Sequence, residues 1–424
     1  MKIYYLYFLI FSLFSLTACS QKTPELGTGS IKKNLPKHDK TPYTILVSLD
    51  GYRWDYNERL KPPNLTKFAN NGVQAKSLIP CFPSKTFPNH YSIATGMYPE
   101  NHNLVNNSFY DPAKKEVYQI SNRPLIEDGS WYKGTPIWVQ AMKSGMVTAS
   151  FFFVGSEADV QGMRPTYFYR YDKSIANEKR VQQALDWLKL PTAERPHLIT
   201  MYFSDMDDTG HLYGPNNEEE LTATLEDLDT NLGQLFDGVT ALDIPVNIIV
   251  VSDHGMAEVP INQLIPIESI KNEEDYQTVT VGSAVHLYLE EDADETVVFE
   301  QLKKKEKNFT VYKTAESPFY KNNPTNPRLG DFLIIPDYGY YFKTLMQIGL
   351  LKRSTKVVLG HHGYDPKIKD LQGIFYANGP AFKSGITIES FENIHIYPLI
   401  CEMMGLEVPE EVDGKLEVLQ EVLK

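Results

Sequence analysis

Three short segments of the chain are almost continuously apolar, and each ends in acidic or polar residues. They are TILVSLDG at 44–51, LITMYFSDMD at 198–207 and VNIIVVSDHG at 246–255. Continuous rather than alternating hydrophobicity is typical of a central strand that is covered on both faces. We therefore predict three buried strands whose carboxyl ends deliver Asp50, an aspartate among residues 205–208, and the Asp253-His254 pair.

Helical patterns lie between these segments. PNLTKFANNG at 63–72 begins with proline and ends with glycine, as helices often do. Residues 218–239 place leucines at helical spacing, at Leu221, Leu225, Leu228, Leu232 and Leu235. Alternation of strand and helix predicts an α/β fold with a mainly parallel central sheet flanked by helices on both faces. Ligands of such sheets bind at the carboxyl ends of the strands.

The amino terminus has the features of an export signal. Lys2 precedes an apolar run from Ile3 to Leu16 that is short for a membrane span. The run ends in Leu-Thr-Ala-Cys, which resembles a bacterial lipobox, although an ordinary secretory signal is the alternative. We predict a lipoprotein signal peptide at 1–18, a lipid-anchored flexible tether at 19–42 that begins with lipidated Cys19, and a catalytic domain at 43–424. This places the protein in the cell envelope, on the periplasmic or cell-surface face of a bacterial membrane.

Charge and cysteine content exclude some functions. The formal net charge of −13 argues against a stable nucleic-acid partner, but it permits a small anionic substrate held by metal ions. Besides Cys19 the chain has only Cys81 and Cys401. Two thiols do not make a disulfide framework or a cysteine-rich metal site, and the sequence leaves open whether they pair.

Histidines and aspartates cluster in three motifs. These contain the Asp253-His254 pair, Asp207 and His211 in DDTGHLYGP, and His361 and His362 in GHHGYDP. With Asp50, one histidine of the last motif completes a set of three carboxylates and three histidines. Six such ligands suit two zinc ions, each held by three side chains, whereas magnesium would not need the imidazoles.

Neighbouring residues offer alternatives to these ligands. Asp205 and Asp208 flank Asp207, and we prefer Asp207 for its four-residue spacing to His211. We expect His361 to lie in a loop or to support a ligand, and His90 and His102 to be structural.

Thr86 opens the segment TFPNHYSIATG at 86–96. It could be a helix N-cap, or a nucleophile at the positive end of a helix. An alcohol is a weak nucleophile at neutral pH and is activated by a metal, so a two-zinc site favours the second interpretation.

Together these motifs resemble the nucleotide pyrophosphatase/phosphodiesterase family of the alkaline phosphatase superfamily. The resemblance covers nearly all of the chain after the tether and rests on motifs at 45–56, 83–102, 104–112, 131–141, 207–215, 250–256 and 360–366. It implies an alkaline-phosphatase-like fold with a smaller inserted cap region. It also implies a two-zinc hydrolase that releases nucleoside 5'-monophosphates from nucleotide phosphodiesters or pyrophosphates through a phospho-threonine intermediate.

The family assigns roles to matching positions. Thr86 is the expected nucleophile and a metal-bound group, and Asn107 the expected donor to a phosphate oxygen. One metal is expected on Asp50, Asp253 and His254. The other is expected on Asp207, His211 and His362.

The substrate pocket is expected to contain aromatic residues. Phe87 follows the nucleophile and can stack on a nucleobase, and the resemblance places Tyr171 on the other side of that slot. Tyr202, before Asp207, is a further candidate. The chain reads FFFVGSE at 151–157 where many relatives have Phe-Trp-Pro-Gly-Ser, so that Phe153 replaces the tryptophan.

Other substrates and functions stay open. Glu157 could serve a nucleotide or, with aromatic residues, the quaternary ammonium of a phosphocholine lipid. A phosphomonoesterase would use the same metals, although no basic pair suited to a monoester dianion follows Thr86. A non-enzymatic binding lipoprotein is the third alternative, and a complete ligand set argues against it.

Overall fold

The computed structural model describes residues 26–29, 31–279, 282–320 and 322–424. Within these residues a nine-stranded sheet forms the centre of the fold. Its strands, in chain order, are β1 Leu26–Thr28, β2 Tyr43–Leu49, β3 Val73–Ala75, β4 Thr148–Phe151, β5 Tyr167–Tyr169, β6 Leu198–Phe203, β7 Val246–Val251, β8 Phe375–Asn378 and β9 Ile386–Ile388. Their spatial order is β1-β5-β4-β6-β2-β7-β8-β3-β9.

The three predicted strands lie side by side at the middle of this sheet. β2 pairs in parallel with β6 on one side and with β7 on the other. Every residue of these three strands is buried, as their continuous hydrophobicity predicts. Only β1 and β8 are antiparallel to their neighbours in the described sheet, so the mainly parallel arrangement is confirmed.

Helices cover both faces of the sheet. In chain order they are Tyr56–Leu60, Pro63–Asn71, Thr86–Thr95, Pro99–His102, Arg123–Glu127, Ile137–Ser144, Asn177–Leu188, Asp205–Tyr213, Glu218–Thr240, Glu295–Lys304, Leu345–Lys352 and Ile396–Met404. Alternate residues of β2 enter separate apolar cores. Ile45 and Val47 pack in the core that contains the leucines of the 218–240 helix, whereas Leu46 packs in the core that contains Ile93 of the 86–95 helix.

A smaller region is inserted between β7 and β8. Its four-stranded antiparallel sheet has the order Tyr276–Thr278, Val285–Leu289, Phe332–Pro336 and Phe309–Lys313. The 295–304 helix packs on this sheet, and the two share a separate apolar core that includes Val298 and Leu302. This is the cap region that the family resemblance implies.

Two-stranded pairs complete the described strands. They are Ser108–Asp111 with Glu116–Gln119, Ala257–Pro260 with Val358–His361, Leu264–Pro266 with Tyr341–Lys343, and Leu78–Ile79 with Phe391–Glu392.

The described residues of the predicted tether form hydrogen bonds with the catalytic domain. β1 pairs with β5, and the Asn34 amide donates to the carbonyls of Thr192 and Arg195 at 2.8 and 2.7 Å. Asn34 also accepts from the backbone N–H of Val147 at 2.7 Å. The prediction of a flexible tether is therefore wrong for this part, because composition does not reveal such long-range hydrogen bonds.

The predicted signal peptide and Cys19 lie outside the described residues. No helix among the described residues is long and apolar enough to cross a membrane.

Candidate active site and metal centre

The three central strands bring their carboxylates to one edge of the sheet. Asp50 directly follows β2, Asp253 lies just beyond β7, and Asp207 lies in the helix that begins after β6. Leu49 of β2 pairs with Phe203 of β6, and Ser48 pairs with Val251 of β7, so all three strands end at the same level. Parallel pairing thus brings distant parts of the sequence into one site.

One group of potential ligands contains Asp50, Asp253 and His254. Their ligand atoms all lie within 4.8 Å of one another. The Nε2 atom of His254 is 3.4 Å from Asp50 Oδ1 and 3.0 Å from Asp253 Oδ2. Thr86 Oγ1 is 3.3 Å from the same nitrogen. These four residues are the set expected for the metal that activates the nucleophile.

The second group contains Asp207, His211 and His362. His211 Nε2 lies 3.4 Å from Asp207 Oδ2 and 3.2 Å from His362 Nε2. His254 and His362 stack with their ring centroids 3.6 Å apart, so the two groups adjoin. The alternative aspartates have other partners, since Asp205 accepts from Asn177 at 2.9 Å and Asp208 pairs with Lys173 at 2.7 Å.

A backbone carbonyl orients each of the three histidines. The Nδ1 of His211 donates to Gly360 O at 2.7 Å, and that of His362 donates to Ser84 O at 2.8 Å. His254 Nδ1 lies 2.9 Å from Gly255 O. Because a carbonyl only accepts, these bonds place the proton on Nδ1 and leave Nε2 as the ligand atom.

Other histidines support the site or pack beside it. His90 contacts Asp253, and its Nδ1 is 3.2 Å from Asp253 Oδ2. The Nε2 atom of His90 is 2.8 Å from Ser48 Oγ. His361 stacks on Tyr341 at 3.8 Å between ring centroids, and buried His102 is 3.0 Å from Ser92 Oγ.

Two glycines permit the close approach of these elements. A Cβ at Gly360 would lie 2.1 Å from the carbonyl oxygen of Gly210, one residue before His211. Gly51 has φ of +64°, and a Cβ there would lie 2.9 Å from the Cβ of Asp207. Glycine at 51 and 360 therefore lets the Asp207 helix pack tightly on β2 and on the strand before His362.

The electrostatics of the site favour bound cations. Burial raises the pKa of Asp50, and the nearby carboxylates of Asp253 and Asp207 raise it further. Burial likewise raises the pKa of Asp253 and Asp207. Among the described residues, Asp50 Oδ1, Asp207 Oδ1 and Asp253 Oδ2 are buried without a hydrogen-bond partner. Three such carboxylates are costly unless cations offset their charge.

The chemistry of the donors fits divalent metals of the zinc type. Burial lowers the pKa of His254 and His362, which keeps both imidazoles neutral and able to bind a metal. Mixed carboxylate and imidazole ligands suit zinc better than magnesium.

Thr86 is the first residue of the 86–95 helix, and Lys85, not Thr86, occupies the N-cap position. Asn89 holds the loop before the helix by accepting from Cys81 N at 2.6 Å and donating to Pro83 O and Lys85 O at 2.9 Å. Because Lys85 is the N-cap residue, Thr86 does not cap the helix. Cys81 and Cys401 are both buried and unpaired in the structure.

A cavity of about 320 Å³ opens beside Thr86 and Asp50. The five predicted pocket residues all line it, and these are Phe87, Phe153, Glu157, Tyr171 and Tyr202. The hydroxyl of Tyr202 donates to Asp50 Oδ2 at 2.6 Å, so this residue both lines the pocket and orients a potential metal ligand. A larger groove of about 630 Å³, along the 63–71 and 218–240 helices, contains none of the predicted site residues.

Sequence reasoning missed Arg123 and Phe152, which also line the cavity. Arg123 forms an ion pair with Glu157 and donates to the carbonyl of Tyr171 at 2.9 Å. Glu157 in turn accepts from the backbone N–H of Tyr171 at 2.9 Å. The ion pair therefore fixes the backbone of Tyr171 on both sides. No local motif joins Arg123 to Glu157, so the sequence held no signal of this contact.

The model of the "Type I phosphodiesterase / nucleotide pyrophosphatase" family matches residues 44–365. Ectonucleotide pyrophosphatase/phosphodiesterase family member 1 of Mus musculus is 33% identical over 399 residues, which cover 92% of this chain and 43% of the relative. Venom phosphodiesterase CdcPDE of Crotalus durissus collilineatus is 34% identical over 392 residues, covering 90% of this chain and 46% of the relative. The chain spans less than half the length of these two relatives.

Solved structures show the same fold. Murine ectonucleotide pyrophosphatase/phosphodiesterase 5 has a TM-score of 0.82 at 28% identity, and the match covers 90% of this chain and 100% of that one. An inactive form of the murine protein, with a threonine-to-alanine substitution and in complex with AMP, matches equally well. From its motifs, its fold and these matches, the chain belongs to the type I phosphodiesterase/nucleotide pyrophosphatase family.

Proposed function

We propose that this protein is a phosphodiesterase that hydrolyses nucleotide phosphodiester or pyrophosphate bonds and releases nucleoside 5'-monophosphates. The observation that carries the proposal is the position of Thr86. Its hydroxyl lies at a helix N-terminus, 3.3 Å from His254, in the cavity that also contains Asp50, Asp207 and the aromatic rings of Phe87 and Tyr171. The proposed nucleophile, the proposed metal ligands Asp50 and Asp207, and two aromatic rings thus line one cavity.

Thr86 is the proposed nucleophile of a two-step reaction. Its Oγ1 forms a bond to phosphorus as the bond to the leaving alcohol or phosphate breaks, and the leaving oxygen takes up the proton that Thr86 loses. Water then attacks the phospho-threonine, which releases the nucleoside monophosphate and restores the hydroxyl. Asp50, Asp253 and His254 would hold one zinc ion, and Asp207, His211 and His362 a second. When bound, these ions would supply the positive charge that favours the threonine alkoxide.

Asn107 and the start of the 86–95 helix are proposed to hold the phosphate. Asn107 Oδ1 accepts from the backbone N–H of Phe87 at 3.0 Å, which leaves the amide NH2 as a donor beside the helix N-terminus. Its Nδ2 has no partner among the residues that the structure describes. Donors placed in advance at a developing negative charge stabilise the transition state.

The pocket supports a nucleotide over a choline-phosphate lipid. Phe87 and Tyr171 offer aromatic surface to a base, and the AMP complex of the murine relative agrees with this. Glu157 is 7% exposed and already paired with Arg123, so its charge is not free for a quaternary ammonium group. Two alternative activities, hydrolysis of phosphocholine diesters and hydrolysis of phosphomonoesters, are included in the test.

The predicted location is also part of the proposal. A signal peptide at 1–18 and a lipid on Cys19 would anchor the catalytic domain in the bacterial cell envelope. Relatives named ectonucleotide pyrophosphatases and venom phosphodiesterases support a function outside the cytoplasm.

The test is a comparison of kcat/KM for the zinc-loaded protein on three nitrophenyl substrates. These are a thymidine monophosphate diester, a phosphocholine diester and the simple phosphate monoester. We expect the nucleotide diester to lead, and a lead for either of the others would assign the enzyme to that alternative class.

Thr86→Ala tests the nucleophile. We expect it to abolish turnover while metal content and unfolding midpoint stay unchanged. Thr86→Ser is expected to keep part of the activity, and Thr387→Ala, at an exposed position of β9, all of it. A fully active Thr86→Ala enzyme would contradict the mechanism.

A further inference from the structure

Large exposed apolar side chains concentrate in two chain segments, 212–213 and 345–357, that a hydrogen bond links. Of the eleven in the described part of the chain, six lie here, namely Leu212, Tyr213, Leu345, Met346, Leu350 and Val357. Met346 and Val357 are the most exposed of all eleven, at 73% and 76%. Single exposed apolar residues are ordinary, but a cluster marks a contact surface. We call these six residues the apolar surface.

The 345–352 helix carries three of the six residues of the apolar surface, and its first turn is capped. Thr344 and Gln347 cap its first turn reciprocally, with hydrogen bonds of 3.2 and 3.1 Å. Ile348 is the buried residue of the helix, while Leu345, Met346 and Leu350 face outward. The apolar face of a helix usually packs against a protein core. The outward-facing apolar side chains of this helix therefore indicate a surface that binds another partner.

Lys356 joins the helix to the rest of the apolar surface. Its ammonium donates to the carbonyl of Leu212 at 2.8 Å, which links the segment after the helix to the end of the 205–213 helix. Leu212 and Tyr213 directly follow the potential ligand His211. The end of the apolar surface that contains Leu212 and Tyr213 therefore lies next to the candidate active site.

The chain segment that carries the 345–352 helix is basic, whereas the whole protein is acidic. The segment 339–364 contains Lys343, Lys352, Arg353 and Lys356 but no aspartate or glutamate, although the chain carries a net charge of −13. Lys352 and Arg353 are exposed at the end of the helix. One acidic residue from outside the segment touches the helix, since Glu268 accepts from the backbone N–H of Leu345 at 3.0 Å.

We propose that the apolar surface docks on an anionic lipid bilayer. Exposed leucine and methionine next to lysine and arginine are the composition of helices that lie in a membrane interface. Their apolar side chains enter the headgroup region while the basic groups pair with anionic lipids. Docking in this way holds the active-site edge of the sheet at the membrane face, whether or not the amino terminus carries a lipid.

The test uses the full chain with vesicles and a tryptophan at position 346. Met346→Trp is compared with Val297→Trp, which is 50% exposed on the helix of the cap region. Brominated phosphatidylcholine quenches tryptophan only on contact with acyl chains. Quenching is measured with phosphatidylglycerol in the vesicles and corrected for the signal of the wild-type tryptophans. We expect it to be several-fold greater for Met346→Trp than for Val297→Trp. We also expect the quenching of Met346→Trp to decrease in high salt.

Charge reversal provides a second measurement. We expect the double variant Lys352→Glu, Arg353→Glu to remove the response of Met346→Trp to phosphatidylglycerol, with unchanged kcat/KM on a soluble nitrophenyl diester. Equal quenching of the tryptophans at positions 346 and 297 would overturn the proposal. Quenching at position 346 that is the same with and without phosphatidylglycerol would also overturn it. So would a dimer in sedimentation that Met346→Glu dissociates, because the apolar surface would then bind a second copy of the chain.

Discussion

Asn107 Oδ1 accepts a hydrogen bond from the backbone N–H of Phe87, with the two atoms 3.0 Å apart. This bond joins the loop after residue 103 to the first turn of the helix that begins at Thr86. It uses one of the free N–H groups at the helix N-terminus and fixes which end of the amide is the donor. The orientation of Asn107 is therefore set before any substrate binds.

Replacing Asn107 tests its role as a phosphate donor. We expect Asn107→Ala to lower kcat on the nucleotide diester by about 10²–10³-fold, which is the typical loss for one transition-state donor. KM should change much less, because the donor acts on developing charge. Steady-state kinetics give both values, and Asn70→Ala, at an exposed position of the 63–71 helix, is the control. A rise in KM alone would show that Asn107 binds substrate without stabilising the transition state.

The ion pair of Glu157 and Arg123 is expected to act through Tyr171. Glu157→Ala removes the acceptor of the Tyr171 N–H and the partner of Arg123, so the aromatic slot loses its fixed geometry. A loss of about 1.4 kcal/mol in binding raises KM for the nucleotide diester about tenfold. kcat/KM on methyl nitrophenyl phosphate, which has no base, should stay near that of the wild type.

Glu157→Gln is the matched variant for this prediction. It keeps an acceptor for the Tyr171 N–H and is expected to recover part of the affinity. Equal losses on both substrates would instead assign Glu157 to the reaction itself.

Removal of metal is expected to affect activity and stability together. Without cations the buried carboxylates of Asp50, Asp207 and Asp253 repel one another, so chelation should abolish turnover and lower the unfolding midpoint. Zinc should restore both more effectively than magnesium, because three of the proposed ligands are imidazoles. Metal content and activity are measured on the same sample, and full activity of a metal-free chain would refute the two-metal proposal.

A buried ion pair away from the active site is expected to stabilise the fold. The Nη2 atom of Arg328 is 2.7 Å from Asp111 Oδ2, and its Nη1 donates to the carbonyls of Asn103 and Trp131. Arg328→Met leaves the Asp111 carboxylate without its counter-charge, so unfolding free energy should fall by about 3–5 kcal/mol. Lys76→Met, which breaks an exposed pair with Glu389, should cost less than about 1 kcal/mol. Denaturant titration compares the two variants.

The same pair predicts a dependence on pH. Burial raises the pKa of Asp111, but backbone hydrogen bonds from Lys114 and the guanidinium of Arg328 outweigh it and hold the pKa below its ordinary value of 3.8. The ionised form therefore stabilises the fold above that value, and the contribution is lost as the pH falls through the folded-state pKa. Asp111→Asn should flatten this part of the stability curve, and an unchanged curve would contradict the prediction.

The sequence was sufficient where local pattern determines structure. Continuous apolar runs predicted β2, β6 and β7, and the spacing of leucines predicted the 218–240 helix. Because parallel strands end at one edge, the same runs also predicted that Asp50 and Asp253 would meet. The resemblance to the family then supplied the grouping of the ligands.

The sequence was insufficient where contacts join distant segments without a motif. Nothing around Asn34 predicts that its amide bonds residues 147, 192 and 195, so composition alone suggested a tether. The pairing of Arg123 with Glu157 was missed for the same reason. Such contacts depend on tertiary geometry, which neither periodicity nor propensity encodes.

The parallel pairing of the central strands has a consequence for folding. β2 meets β6 and β7 only after segments of roughly 150 and 200 residues have been closed into loops, and His362 comes later still. Contacts of such long sequence separation form slowly, because the entropy of closing the loops is lost before the contacts form. We therefore expect the proposed metal centre to form late in folding, so that metal uptake would report the assembly of these three strands.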